Sequence, residues 1–286
     1  MGTHANTLKS ELFPDVAEVL HQFNLVGDVK ILPGGSTANY RVGNVVLKRI
    51  RENSLENNHS PELAAWIAGF SSHIVQTGFR LPSTLPTIEN TWITETGWVA
   101  SSFLTGQHAA ADDIPGCIQA IIALHLALLQ IPAHPRMAGN CTAWGLAHQW
   151  CWGEKPANVQ IELRPLIDRL YALRQPIVTS PWQLIHADLN PENILVEPGL
   201  PPAFLDFSPF WAPSEFALAI FANFIGPRRR DMAVLSHFTD VPNFKQLLVR
   251  AAIRMLLVVA VLDGLDGWET SEEKWAAEQI IQFVTE

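Results

Sequence analysis

The stretch LIHADLNPENILVEPGLPPAFLDFS, residues 184–208, restricts the fold more than any other part of the chain. Two apolar runs, residues 194–196 and 203–205, flank Glu197-Pro198-Gly199-Leu200-Pro201-Pro202, a segment made of turn formers. The two runs are expected to pair as an antiparallel hairpin. That pairing sets Asn193, just before the first strand, beside Asp206, just after the second, although 13 positions separate them. An Asn and an Asp at one end of a hairpin suit Mg2+, which takes few protein oxygens and completes its octahedron with water and phosphate. Asp188, five residues before Asn193, can face the same point.

Two textures surround this hairpin. Residues 25–104 alternate short β-like runs with Gly/Pro turns, whereas 115–180 and 214–286 carry helical patterning, so a boundary is expected at Leu104-Thr105-Gly106. With 286 residues and 48% hydrophobic content, the chain has enough apolar surface for a substantial core. The balance of 19 Lys plus Arg against 28 Asp plus Glu gives a net charge of −9. That balance argues against nonspecific attraction to nucleic acid or an anionic membrane, and it suits a cationic small molecule. Cys117, Cys141 and Cys151 show no CxxC spacing, and MGTHANTLKS at the N-terminus has no apolar signal core, so a reducing cytoplasm is the expected compartment. The most apolar run, residues 251–262, contains Arg254 and falls short of the roughly 18–20 residues of a spanning helix, so it reads as a buried helix.

Local signals place further polar residues on elements. In YRVGNVVLK the pair Gly43-Asn44 joins two β-branched runs as a primed hairpin turn, which puts Lys48 in a strand. In SPELAAWIAGF, Ser60 is a helix N-cap with Pro61 at the first helical position, leaving Glu62 in the first turn. ETGWVASSFLTG reads as a turn, a strand over residues 98–103 and a Gly-marked exit, followed by an apolar helix over residues 115–131.

The pattern H-x-D-x-x-x-x-N, then a strand and D-F, matches the catalytic-loop and metal-binding signatures of kinases at His186, Asp188, Asn193, Asp206 and Phe207. HADLNPENILV together with FLDFS resembles the aminoglycoside phosphotransferase and choline kinase-like family, and weaker features follow in the family's order over most of the chain. The resemblance implies a bilobal α+β protein-kinase-like fold. Its N-lobe, to residue 104, would be an antiparallel sheet plus one helix, and its C-lobe, residues 105–286, would be mainly helical and carry the catalytic hairpin, with the nucleotide between the lobes. It further implies that LPGGSTANYRV is a nucleotide-covering loop using Gly34, Gly35, Ser36, Thr37 and Asn39. Lys48 would contact the α/β-phosphates and Glu62 would orient it, while the backbone of Ser101, Ser102 and Phe103 would pair with a purine. Asp188 would accept the acceptor's proton, with His186 bracing the loop, and Asn193 and Asp206 would hold Mg2+.

The resemblance therefore implies transfer of the γ-phosphoryl group of ATP, or of GTP, to a hydroxyl of a small molecule such as an aminoglycoside, choline or a sugar. Only eight residues separate Asp206 from Glu215, too few for the activation segment of a protein kinase. Two departures stand out: Ser208-Pro209 follows Phe207 where a Gly is usual, and Glu215 stands where an Asp is common. They leave open a pseudokinase-like module that keeps the fold for binding alone. Trp144, Trp150 and Trp152, with Glu154 or Asp112, offer a place for an ammonium group, although most Trp residues are expected in the core. Cys141, His148 and Cys151 are too irregularly spaced for a zinc set and read as buried thiols and a packed histidine.

Overall fold

Alternating burial along NYRV and VVLKR builds the middle of an antiparallel sheet in the computed structural model, which describes residues 15–32, 39–50, 60–138, 140–262 and 270–286. The chain divides into two compact units: described residues up to 50, 60–73 and 82–104 form the first, and 74–81 with those from 105 onward form the second.

In the first unit, helix α1 (Val16–Gln22) precedes strands β1 (Val29–Leu32), β2 (Asn39–Val42) and β3 (Val45–Arg49). Helix α2 (Pro61–Ser71) and strands β4 (Thr84–Leu85) and β5 (Trp98–Ser102) follow, and the sheet order is β1-β2-β3-β5-β4. Gly43 turns the β2–β3 hairpin at φ 57°, a left-handed value that glycine takes without steric cost, with Val42 opposite Val45. Tyr40, Val42, Leu47, Trp98 and Ala100 form a buried cluster with Val19 of α1 and Phe23, which caps that helix. Helix α1 adds a second helix to the one foreseen, since its seven residues are too short to display a helical period. Ser60 caps α2 as expected, its Oγ accepting from the Leu63 N–H at 3.2 Å. Strand β5 ends at Ser102 instead of Phe103, because the Phe103 N–H leaves the ladder for the Asn44 carbonyl at 2.8 Å.

The second unit holds β6 (Gln107–His108), α3 (Ile114–Leu128), α4 (Ala143–Trp152), α5 (Arg164–Leu173) and β7 (Trp182–His186). Then come β8 (Ile194–Glu197), β9 (Leu200–Phe204), β10 (Pro209–Pro213), α6 (Ser214–Ile225), α7 (Phe244–Leu262) and α8 (Thr270–Thr285). Helix α7 starts well before the apolar run at 251–262, because Lys245, Gln246 and Arg250 break up its hydrophobic signal. It packs against α4, α5, α6 and α8 and buries Leu247, Leu248, Leu256, Val258 and Val259. Each such side chain contributes roughly 1.5–3 kcal/mol of transfer free energy, so α7 is a main source of cohesion in this unit. Residues 111–128 are apolar and long enough to cross a membrane by length and composition alone, and in this fold α3 packs on β7, β9 and α6.

Two small antiparallel sheets carry the polar motif: β7 with β10, and β6-β8-β9. Gly106 lets the chain enter β6 close to β8, since a Cβ there would lie 2.9 Å from the Val196 carbonyl oxygen.

Candidate active site

The expected hairpin forms, with a tighter turn and an earlier second strand. Strand β9 starts at Leu200, which pairs with Glu197, so only Pro198-Gly199 remains as the turn. Pro198 followed by Gly199 at φ 83° is the chemistry of a type II turn. The Pro-rich start of β9 is compatible with a strand because its outer edge is used differently: Arg80 donates its N–H to the Pro202 carbonyl at 2.9 Å and accepts from the Phe204 N–H at 2.9 Å. At the other end Ile194 faces Phe204, and the Leu205 N–H donates to the Asn193 carbonyl at 2.8 Å. Asp206 is the next residue, so Asn193 and Asp206 meet at the same end of the hairpin.

A 3-10 turn over Pro191–Asn193 fixes the loop before β8. Asn190 caps it, its Oδ1 accepting from the N–H groups of Glu192 at 2.9 Å and Asn193 at 3.1 Å, while its Nδ2 donates to Asp188 Oδ1 at 2.9 Å. Asn193 Nδ2 donates to Asp188 Oδ2 at 2.8 Å and to the Asp188 carbonyl at 3.0 Å. Both Asp188 oxygens are thus held by amide donors. Because both partners of Asn193 Nδ2 are acceptors, the amide orientation is fixed and Oδ1 is the atom left to ligate a cation. Asn190 went unassigned in the sequence, although Asn-Pro-Glu is a helix-start signature that points to it.

His186 is fully buried, and its Nε2 donates to the Leu205 carbonyl at 3.0 Å. Its Nδ1 therefore accepts, from the N–H groups of Asp188 and Ser208, each at 3.3 Å. One imidazole ties the loop before β8 to the segment after β9. Beneath it, His125 on α3 donates from Nδ1 to the Ile121 carbonyl at 2.7 Å and accepts from the His186 N–H at Nε2, at 3.2 Å. His125 falls inside the apolar run 115–131, where the sequence gives no sign that it reaches the loop.

Burial pushes the His186 imidazole below its usual range, against the opposing pull of Asp188, the Leu205 carbonyl and Asp206. Burial also lowers His125 to about 4 and, with Arg254 adding to the effect, His148 to about 3. For His125 and His186, protonation would place a proton on a nitrogen that already accepts a backbone N–H. Below pH ~6.5 the unfolded chain takes up protons that the folded chain refuses, so stability should fall as pH drops from 7 toward 4, by about 2 kcal/mol at pH 5 for His125 alone, with its value of about 4. Urea midpoints measured at pH 7.5, 6 and 5 check this, and a flat profile would contradict neutral burial.

Asp206 is exposed and holds φ 48°, a left-handed conformation uncommon for a residue other than Gly, Asn or Asp. Its neighbours are tethered on both sides: Leu205 to Asn193, and Ser208 to His186 and, through its carbonyl, to the Ala187 N–H at 2.9 Å. Pro209 opens β10 opposite His186, so Ser208-Pro209 replaces a flexible hinge with a paired strand. Glu215, in the first turn of α6, accepts from Ser180 Oγ at 2.5 Å and from the Ser180 N–H at 3.3 Å.

In the first unit, Lys48 is half-buried on β3, between Asn39 of β2 and Val99 of β5 in register. Glu62 is exposed in the first turn of α2. Gly34, Gly35, Ser36 and Thr37 lie outside the described residues. Along the segment expected to pair with a purine, backbone N–H groups are already engaged. Ser101 is paired on both sides, the Ser102 N–H donates to the Ser83 carbonyl at 2.8 Å, and the Phe103 N–H is taken by Asn44. The next backbone N–H, that of Leu104, has no partner among the described residues.

The aromatic site foreseen for an ammonium is already occupied by the protein's own cations. Arg254 lies over the Trp144 ring at 4.9 Å and Arg250 over Trp152 at 5.1 Å, while Asp112 and Glu154 are exposed. Cys117 and Cys151 are buried, but Cys141 is exposed. Among the described residues no group of three His, Cys, Asp or Glu side chains is placed to hold a metal.

A family model described as the phosphotransferase enzyme family matches residues 28–238. No curated protein matches the chain significantly. Among solved structures, a microcompartment-associated aminopropanol kinase shares 16% identity at a TM-score of 0.62, over 95% of this chain and 94% of its own. A choline kinase of Streptococcus pneumoniae shares 11% at 0.61, over 96% and 99%. A spectinomycin phosphotransferase in complex with ADP and spectinomycin shares 13% at 0.59, over 95% and 97%. At these identities the likeness establishes the fold.

Proposed function

Because the chain belongs to the phosphotransferase enzyme family, we propose that it moves the γ-phosphoryl group of ATP, or of GTP, to a hydroxyl of a small molecule with the help of Mg2+. The observation that carries this reading is the Asp188 carboxylate, clamped by the side-chain amides of Asn190 and Asn193 beside the hairpin end that presents Asp206.

Each Asp188 oxygen keeps acceptor capacity beyond its amide bond, so an acceptor hydroxyl can donate to it. As that hydroxyl oxygen bonds to the γ-phosphorus, the bond to the ADP oxygen breaks and the hydroxyl proton passes to Asp188. The carboxylate is held before substrate arrives, so little reorganisation is needed at the moment of transfer. Asn193 Oδ1 and the Asp206 carboxylate are hard oxygens fitted to a small divalent cation. A cation bound there would neutralise charge on the phosphates. Lys48 contacts phosphate oxygens, Glu62 orients it, and Gly34, Gly35, Ser36, Thr37 and Asn39 cover the nucleotide in the same reading. The purine is assigned to the backbone at Leu104, next to Ser101, Ser102 and Phe103. Strand β10 and the start of α6 fill the span from Asp206 to Glu215, which supports a small-molecule acceptor over a protein. The neighbours named for aminopropanol, spectinomycin and choline support a hydroxylated small molecule as well. The cytoplasm, which supplies ATP and Mg2+, is the compartment proposed.

The test is ATP consumption across hydroxylated metabolites and antibiotics, together with thermal unfolding in the presence of nucleotide and Mg2+. Nucleotide at 100 times its Kd should stabilise the native state by about 2.7 kcal/mol, and at least one acceptor should be turned over. No thermal shift at millimolar ATP would favour a module that keeps the fold without the chemistry.

A further inference from the structure

Arg254 of α7 is 1% exposed, yet neither its Nε nor its Nη1 has a hydrogen-bond partner. Its guanidinium lies over the Trp144 ring at 4.9 Å and the Phe210 ring at 5.1 Å. Such contacts steady the faces of a guanidinium and leave its N–H edge unsatisfied. Arg250, one turn earlier, also has an Nε without a partner, but both of its terminal nitrogens are engaged: Nη1 donates to the Gln246 carbonyl at 3.0 Å and Nη2 to the Gln175 carbonyl at 2.7 Å. Among the described residues no carboxylate forms an ion pair with Arg254, and the acidic side chain whose charge it feels is Asp188. A second unpaired group lies close by. His148 packs on Phe210 at 4.7 Å between centroids, spends its Nε2 proton on the Trp211 carbonyl at 3.1 Å, and leaves a buried Nδ1 lone pair without a donor.

A buried cation without a counter-ion is destabilising, and unsatisfied buried donors in a native fold call for a partner. A fork of N–H donors on a planar guanidinium matches a carboxylate. We propose that Arg254 receives a carboxylate carried by the acceptor, so that the molecule phosphorylated is a small hydroxy acid instead of a polycation. This rests on the phosphotransferase reading and specifies its substrate class. The His148 Nδ1 takes an O–H or N–H of the same molecule, and the reacting hydroxyl reaches Asp188.

The purified protein, with ATP and Mg2+, is assayed on glycerate, serine and 3-hydroxybutyrate, on their carboxamides, and on choline and an aminoglycoside. The acids are expected to exceed their amides at least 100-fold in kcat/KM, a comparison that needs no variant. Arg254→Met should raise the KM for the acid about 100-fold while kcat and the KM for ATP stay within a few-fold. Because no hydrogen bond or ion pair is lost and a methionine packs against the same two rings, its melting temperature should hold or rise. Arg254→Lys, which keeps the charge without the fork, should recover part of the acid's KM. Equal use of acids and amides, turnover confined to choline or the aminoglycoside, a loss seen in the KM for ATP, or a lowered melting temperature with an unchanged acceptor KM would each overturn the inference and leave the phosphotransferase reading standing. ATP consumption on no acceptor would overturn both.

Discussion

Asp188→Ala is expected to lower turnover by about 10³-fold, roughly 4 kcal/mol of barrier, while binding of Mg2+ and nucleotide survives. The separation of the two effects follows from the hydrogen bonds of Asn193. Its Nδ2 donates to the Asp188 side chain at 2.8 Å and to the Asp188 backbone carbonyl at 3.0 Å, and the second bond remains in the alanine variant. Asn193 Oδ1 therefore keeps its orientation. Asp188→Asn is the harsher change despite its shape. Its amide cannot accept from both Asn190 Nδ2 and Asn193 Nδ2, because one of its two ends is itself a donor. Relief of that clash turns a donor toward the cation position, so this variant should lose apparent Mg2+ affinity in addition to turnover. Single-turnover kinetics and nucleotide binding measured across a Mg2+ titration check both variants, and near-normal turnover of Asp188→Ala would remove Asp188 from the role assigned to it.

The sequence made the hairpin legible because two local rules agree there. Turn formers bounded two apolar runs, and pairing of those runs leaves little choice about where Asn193 and Asp206 stand. The strand limits were less legible: Pro201 and Pro202 looked like loop residues, and they lie in β9 because Arg80, distant in sequence, supplies the edge contact. The same kind of long-range pairing hid the backbone partners of the segment after β5 begins, since nothing in SSFL shows that Asn44 and Ser83 take up the N–H groups of Phe103 and Ser102. His125 and Asn190 show two different reasons for omission. Asn190 carried a signal, an Asn-Pro-Glu start, whereas His125 becomes part of the site only through the packing of α3 against β7, which no spacing in the chain records. Arg254 lay inside an apolar run that reads as core, and a lone arginine there announces neither its aromatic neighbours nor its unpaired edge.

Asp206→Asn is expected to reduce turnover by about 10²- to 10³-fold at millimolar Mg2+, with partial recovery as Mg2+ is raised. The backbone makes asparagine the informative choice. Asp206 holds φ 48°, a region in which a Cβ-bearing residue without a short polar side chain is strained by about 1–2 kcal/mol. Asn tolerates that conformation, so Asp206→Asn removes a charge while the tethered flanks, Leu205 to Asn193 and Ser208 to His186, stay where they are. Asp206→Ala removes the same charge and adds the strain, so its melting temperature should fall below that of Asp206→Asn although both lose activity. Asp206→Gly, which relieves the strain without restoring an oxygen, should recover stability over the alanine variant but no turnover. If activity followed melting temperature across these three variants, Asp206 would be a turn residue. If activity instead follows the carboxylate, with the Asn variant alone responding to added Mg2+, the residue is a cation ligand whose unusual backbone aims its side chain at the substrate phosphates.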